Sequence, residues 1–209
     1  NNDLVVKTYQ TKDIPPVYRV DLSKTQKKAI NEWVKDSTYI NAAARYGHNA
    51  DEFKRHPEKF DEANQQKIIL ERLISEESLK QSYEVFRGLK EYDIIRTKKT
   101  LEEIKITNKA TELFDDGFNA VSFNEDTPLI YATPDENGEI WMYSANLNEG
   151  YPALFIGNEN PQSLGYRKEG EILINRKTKF TIIGDEIMNV QDATGTIKRL
   201  HLVYIEYQG

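Results

Sequence analysis

Apolar spacing changes character once along this 209-residue chain, near residue 80, and that single change constrains the fold more than any motif. Before it, hydrophobic residues recur at helical intervals. Ser23-Lys-Thr-Gln26 has the form of a capping box, followed by Ala29, Ile30, Trp33 and Val34 on one helical face. Ser37 can cap a second, short helix through Tyr39, Ile40 and Ala44 that Gly47 ends, and Pro57 can open a third running past Ile68, Ile69, Leu70 and Leu73. From Tyr83 the period shortens to two: Tyr83-Glu-Val-Phe-Arg87 alternates as a strand should, and Gly88 stops it. Further strands are predicted near 118–123, 139–145, 152–156, 171–175, 179–184 and 197–207, with a helical stretch near 99–115 crossing between the first two strands. Thr133–Gly138 and Asn158–Gly165 have the composition of turns. Helices followed by strands predict an α+β fold rather than a doubly wound βαβ sheet. The expectation is a single domain over 1–209, helical to about 80 and mainly strand from about 81.

Composition excludes several functions. A net charge of −6 leaves no broad basic excess with which to neutralise nucleic-acid phosphates. No apolar run approaches the roughly 18 residues of a membrane span, and no secretory signal is visible. With no cysteine, disulfides, thiolate catalysis and zinc–thiolate sites are ruled out; the three histidines, His48, His56 and His201, lack metal-ligand spacing, so no metal is expected. Without a G-x-G-x-x-G or Walker loop, a dinucleotide would not be held in the Rossmann manner.

Chemistry-bearing residues recur at separated places. Glu169 and Glu171 stand two apart at the mouth of a predicted strand, where alternation would put both on one face. Such crowding is one way to shift a carboxylate pKa. Asn41 and Arg45 are four apart on the second helix, hence on one side of it. Arg87 ends the first strand, and Ser122 lies in a later one. Two separated arginines with an acidic pair suit an anionic ligand carrying a reacting sugar: guanidinium binds phosphate oxygens in a bidentate manner, and carboxylates stabilise positive charge developing on a ribose.

The order of these segments resembles that of the mono-ADP-ribosyltransferase toxins, above all the single-domain exoenzymes that modify Rho GTPases and the catalytic domains of binary actin-modifying toxins. The resemblance runs from about residue 20 to the end. Leu22–Trp33 looks like the family's first helix, Ile40-Asn41-Ala-Ala-Ala-Arg45 its I-N-x-x-x-R helix, and Val85-Phe-Arg87-Gly88 the strand with the essential arginine. Glu169-Gly-Glu171 and its following strand match the E-x-E segment, and Thr196–Glu206 the closing strand. The resemblance implies an ADP-ribosyltransferase-like fold, with N-terminal helices packed on two antiparallel-rich sheets that form an NAD cleft. It also implies roles. Asn41, Arg45, Arg87 and Gly88 would bind NAD, with the two arginines on its diphosphate and Gly88 near the nicotinamide amide. Glu171 would hold the ribose and stabilise its developing charge, and Glu169 would act as general base toward the acceptor. Ser122 would belong to the catalytic set, and Tyr166 would contact the target protein. With glutamate at 169, the implied acceptor is a protein arginine, with actin or a small GTPase as leading target classes, and the implied setting is a secreted, monomeric toxin. The chain departs from the family at Ala120-Val121-Ser122, where the first serine of an S-T-S motif is replaced. It departs again at the acidic loop 133–138, which would repel phosphates if it faced them. An NAD glycohydrolase, a phage-encoded transferase acting on host proteins and a non-catalytic binding module are the alternatives.

Overall fold

The computed structural model of the chain describes residues 6–8 (backbone), 22–157, 170–192 and 194–209. Helix α1 (Lys24–Lys35) starts where the sequence caps it: Gln26 N–H donates to Ser23 Oγ at 3.2 Å and Ser23 N–H to Gln26 Oε1 at 2.9 Å. Helix α2 (Thr38–Tyr46) stops at Gly47, which takes φ 59°, a left-handed value that glycine adopts without penalty. A short α3 (Asp51–Arg55) precedes α4 (Phe60–Glu76), whose first α-helical residue follows a 3₁₀ turn opened by Pro57. Ala29, Ile30 and Trp33 of α1, Ile40 of α2 and Leu70, Leu73 and Ile74 of α4 form one buried cluster, so the helices pack as a layer.

The remaining elements are β1 (Val6–Thr8), β2 (Tyr83–Gly88), α5 (Glu91–Thr107), β3 (Glu112–Phe114), β4 (Asn119–Ser122), α6 (Asp126–Tyr131), β5 (Ile140–Leu147), β6 (Ala153–Gly157), β7 (Glu171–Ile174), β8 (Lys179–Gln191) and β9 (Ile197–Tyr207). The strands run in the order β1-β8-β9-β5-β2-β4-β7-β6, with β3 paired to β8. Only β1–β8 and β5–β9 are parallel among these pairs. The two antiparallel-rich sheets expected from the resemblance are two halves of one hydrogen-bonded sheet. They are joined between β2 and β4 through a single residue pair, Phe86 and Ser122. Val121, Ile172 and Ile174 from the smaller half share a core with Tyr143, Phe180, Ile182, Val203 and Ile205 from the larger. On its other face the smaller half meets the helical layer through Leu154, Ile156 and Leu173, with Phe118 just ahead of β4. The α+β fold is therefore as the sequence predicts.

Several stretches differ from expectation: β1 and α3 were not predicted, and β8 runs on to Gln191 where a strand near 179–184 was expected. Helix α5 occupies 91–107 rather than 99–115, because Asn108 takes φ 51° and ends it, and β3 forms where helix was predicted. Its early start is masked in the sequence by a buried face that includes Asp93, Thr97 and Thr100 beside Ile94 and Leu101. Helix α6 was not foreseen either; it carries Pro128 in its first turn, where a missing N–H costs little. Among the described residues, no helix is long and apolar enough to cross a membrane.

Candidate active site

The seam between β2 and β4 opens into a cleft of about 370 Å³ lined, among others, by Trp33, Asn41, Arg45, Arg87, Gly88, Ser122 and Glu171. Six of the residues singled out in the sequence thus line one cavity, although they come from α2, β2, β4 and β7. Glu169 and Tyr166 lie outside the described residues.

Each side chain is placed by its element. Asn41 faces inward from α2 and pairs with the backbone ahead of β4, accepting from Phe118 N–H at 2.8 Å and donating to Phe118 C=O at 3.2 Å. One turn on, Arg45 makes a bidentate pair with Asp115, both bonds at 3.0 Å. Gly117 makes this crossing possible, for a Cβ there would stand 2.7 Å from Arg45 Nε and 2.8 Å from Asn41 Oδ1. Arg87, at the end of β2, lies between two carboxylates: Asp93 at 3.6 Å and Asp115 at 3.7 Å. These separations exceed hydrogen-bond length. Burial opposes its charge, but Asp93, then Tyr207 and Asp115, outweigh that and raise the guanidinium pKa further. Burial likewise works against the Asp115 carboxylate, yet the hydrogen bonds and charge of Arg45, the Gly117 N–H and the charge of Arg87 hold its pKa below the usual carboxylate range. Asp115 is the residue that sequence reading missed here. Asp115-Asp-Gly117 reads as a turn, and no local signal shows that it anchors two arginines.

Across the seam, Ser122 and Glu171 are directly paired in the β4–β7 ladder. Ser122 is buried, and its Oγ bonds the backbone of Asn124, accepting from N–H at 2.9 Å and donating to C=O at 3.1 Å. Glu171 lies on the strand face that carries Leu173 toward the helices, and its Oε1 accepts a hydrogen bond from Trp33 Nε1 at 2.8 Å. Strand β7 begins at Glu171, and Gly170 before it takes φ 56°. Gly88 is crowded by protein: a Cβ on it would lie 2.4 Å from Pro128 C=O of α6.

The acidic loop 133–138 does not line the cleft. Asp135 accepts from Trp141 Nε1 at 2.9 Å and from backbone N–H groups of its own turn, and Lys98 pairs with it at 3.5 Å. The expected repulsion of phosphates is therefore not built into this arrangement.

A second cavity of about 630 Å³ adjoins the cleft, sharing Arg45, Arg87 and Lys90 and adding Arg96, Tyr46 and Tyr92. The second cavity is also lined by Asp93, Glu112, Asp115 and Asp116, so its cations are matched by carboxylates, and Arg45, Arg87 and Arg96 are each paired with Asp93 or Asp115.

The family model described as ADP-ribosyltransferase exoenzyme matches residues 9–203. The chain belongs to that family. Its members are mono-ADP-ribosyltransferase toxins that use NAD as substrate. Among solved structures, Plx2a, an ADP-ribosyltransferase toxin from Paenibacillus larvae, superposes with a TM-score of 0.63 at 17% identity over 90% of this chain and 88% of that one. The enzymatic component C2-I of the C2-toxin from Clostridium botulinum gives 0.64 at 19% identity, and this chain's 90% corresponds to 44% of that longer protein. The C3larvin toxin, an ADP-ribosyltransferase from Paenibacillus larvae, gives 0.57 at 14% identity, over 90% of this chain and 89% of that one. No curated protein matches this family member by sequence.

Proposed function

We propose that the chain is an NAD-dependent mono-ADP-ribosyltransferase that modifies an arginine of a target protein. The convergence of Asn41, Arg45, Arg87, Gly88, Ser122 and Glu171 on one cleft supports this reading. So does a relative of similar fold from S. aureus, whose crystal structure was solved with NAD. A single catalytic domain over 1–209 is part of this reading, and the family match over 9–203 supports it.

The placement of Arg45, Arg87 and Glu171 supports their roles, and those of Glu169 and Tyr166 are the ones the family resemblance implies. Arg45 and Arg87 line both cavities, where both can contribute to a diphosphate site while each is also paired with protein carboxylates, Arg45 with Asp115 and Arg87 with Asp93 and Asp115. Glu171 provides the negative charge that stabilises a ribose as its bond to nicotinamide breaks, that bond's electron pair leaving with nicotinamide. A bond then forms from the ribose carbon to a guanidino nitrogen of the acceptor, and Glu169 takes the displaced proton. Tyr166 would contact the target. Actin and small GTPases are the leading target classes, and a secreted monomer is the proposed form.

Incubation with labelled NAD and a eukaryotic cell lysate, beside Glu171→Ala, tests the reading. A discrete labelled protein absent with the variant is expected, its label stable to conditions that cleave linkages other than that to arginine. Nicotinamide release without labelled protein would favour a glycohydrolase, and neither product would refute the enzymatic reading.

A further inference from the structure

Trp33 is a core residue by burial, only 4% exposed, with its ring edge-on to Phe118 at a centroid distance of 5.7 Å. Its polar end is not buried among apolar atoms. Trp33 and Glu171 both line the cleft, and Nε1 donates to Glu171 Oε1 at 2.8 Å, a bond that links α1 to β7 across 138 residues of sequence. Indole carries one donor and no acceptor, so this contact requires the partner to offer an oxygen lone pair. An ionised carboxylate offers lone pairs on both oxygens and no competing proton. A planar ring with two side-chain torsions, locked among Ala29, Ile30, Phe118 and Leu173, cannot follow the carboxylate if it turns. A donor held at Oε1 restrains the turning of the carboxylate, and with it the direction of Oε2. On β4, the residue beside Ser122 on the same face is Ala120, which lines the cleft with a methyl group and can donate nothing.

We propose that Trp33 is a positioning residue, whose indole N–H holds the Glu171 carboxylate in the orientation that NAD cleavage requires. The proposal rests on the enzymatic reading above. The bare structural role, an indole N–H satisfied by whichever acceptor is nearest, predicts no effect on turnover once packing is preserved.

Two variants separate these roles. Trp33→Phe keeps an aromatic ring and removes the donor. Benzothienylalanine introduced at 33 by nonsense suppression keeps the bicyclic shape and replaces only the N–H by sulfur, so a loss of packing cannot account for its behaviour. Both should bind NAD with Kd within about twofold of wild type, while kcat for nicotinamide release falls on the order of ten- to a hundredfold, the worth of a hydrogen bond to a charged group. Unchanged kcat in the benzothienyl protein overturns the proposal. So does a rise in Kd with unchanged kcat, since that places the N–H on ligand binding. A readout independent of activity comes from the chain's two tryptophans, which give two indole N–H signals in a nitrogen–proton correlation spectrum. Glu171→Gln should shift the signal that Trp33→Phe removes and leave the Trp141 signal in place. Failure of that shift overturns the bond itself. A wild-type protein that shows the shift but never cleaves NAD refutes the enzymatic reading, and the positioning role with it, while leaving the bond standing.

Discussion

Gly88→Ala tests what the glycine at the end of β2 is for. Its missing side chain can serve an approaching ligand, as the family resemblance implies, or the protein's own packing. Geometry favours packing. An added Cβ would stand 2.4 Å from Pro128 C=O, 3.0 Å from Ala132 N and 3.1 Å from Ala132 Cα, all backbone atoms that no rotamer change can move. Both sides are also tied down. Gly88 is in the β2–β5 ladder opposite Met142, Leu89 N–H bonds Trp141 C=O at 2.9 Å, and Thr133 N–H at the end of α6 bonds Leu89 C=O at 3.1 Å. Ordinary contact then requires α6 to shift by about 1 Å against those bonds, which belongs in the upper part of the roughly 1–3 kcal/mol that overpacking costs. For a chain of this size that corresponds to a Tm lower by about 4–12 °C. Because Thr127, Pro128 and Tyr131 of α6 line the cleft, NAD affinity should fall in step. Thermal melting with and without NAD measures both. A variant that melts within about 1 °C of wild type yet no longer binds NAD would refute this account and return the glycine to the ligand.

Asp115→Asn should lower stability by about 1–3 kcal/mol at neutral pH, a buried-pair loss reduced because Arg45 is partly exposed. Since its folded pKa lies below the ordinary carboxylate value, Asp115 stabilises the fold above about pH 4 and loses that contribution as pH falls further. The variant's Tm should therefore decline less steeply than wild type on acidification below that point, and parallel curves would contradict the ion-pair network. Asn119 is fully buried with neither amide atom hydrogen-bonded among the described residues, so Asn119→Leu should raise Tm by an amount equivalent to about 1–3 kcal/mol; a lower Tm would mean that the amide is satisfied. Glu169→Gln should abolish transfer to protein while sparing nicotinamide release, and surviving transfer would remove Glu169 from the role of base.

Where the sequence was legible, the signal was local. The capping box at Ser23–Gln26 and the glycine stop after Tyr46 involve atoms within four residues of each other, and the structure reproduces both. Strands β4 to β9 were anticipated near their positions, except that β8 runs on to Gln191, because strand patterning reflects burial on one or both faces and needs no knowledge of partners. Helix α5 was misplaced because its inward face is polar at Asp93, Thr97 and Thr100, and those residues have their own partners: Thr97 bonds Tyr143, Thr100 the Arg96 carbonyl, and Asp93 pairs with Arg96 and Arg87. A polar buried face contributes nothing to an apolar period, so the period began late.

In the site, the arginines were recognisable and their setting was not. Arg45 and Arg87 fall in segments whose residue pattern is itself distinctive, whereas Asp115 is connected to Arg45 across 70 positions and Trp33 to Glu171 across 138. Neither contact leaves a trace in spacing, since each is created by the docking of the helical layer on the seam of the sheet. Close approach of segments also explains why glycines recur around the cleft, with the helical layer as the neighbour at Gly117 alone. The Cβ position of Gly88 is taken by α6, that of Gly117 by Arg45 and Asn41, and that of Gly170 by the Phe123 ring at 2.6 Å. All three mark places where two segments close on each other beside the one-pair join of β2 and β4. A sheet interrupted at that join cannot hold its walls by ladder bonds alone. Close backbone approach and interlayer bonds such as Trp33–Glu171, which ties the helical layer to β7, supply rigidity beside it, and the Glu171 carboxylate depends on them for its orientation.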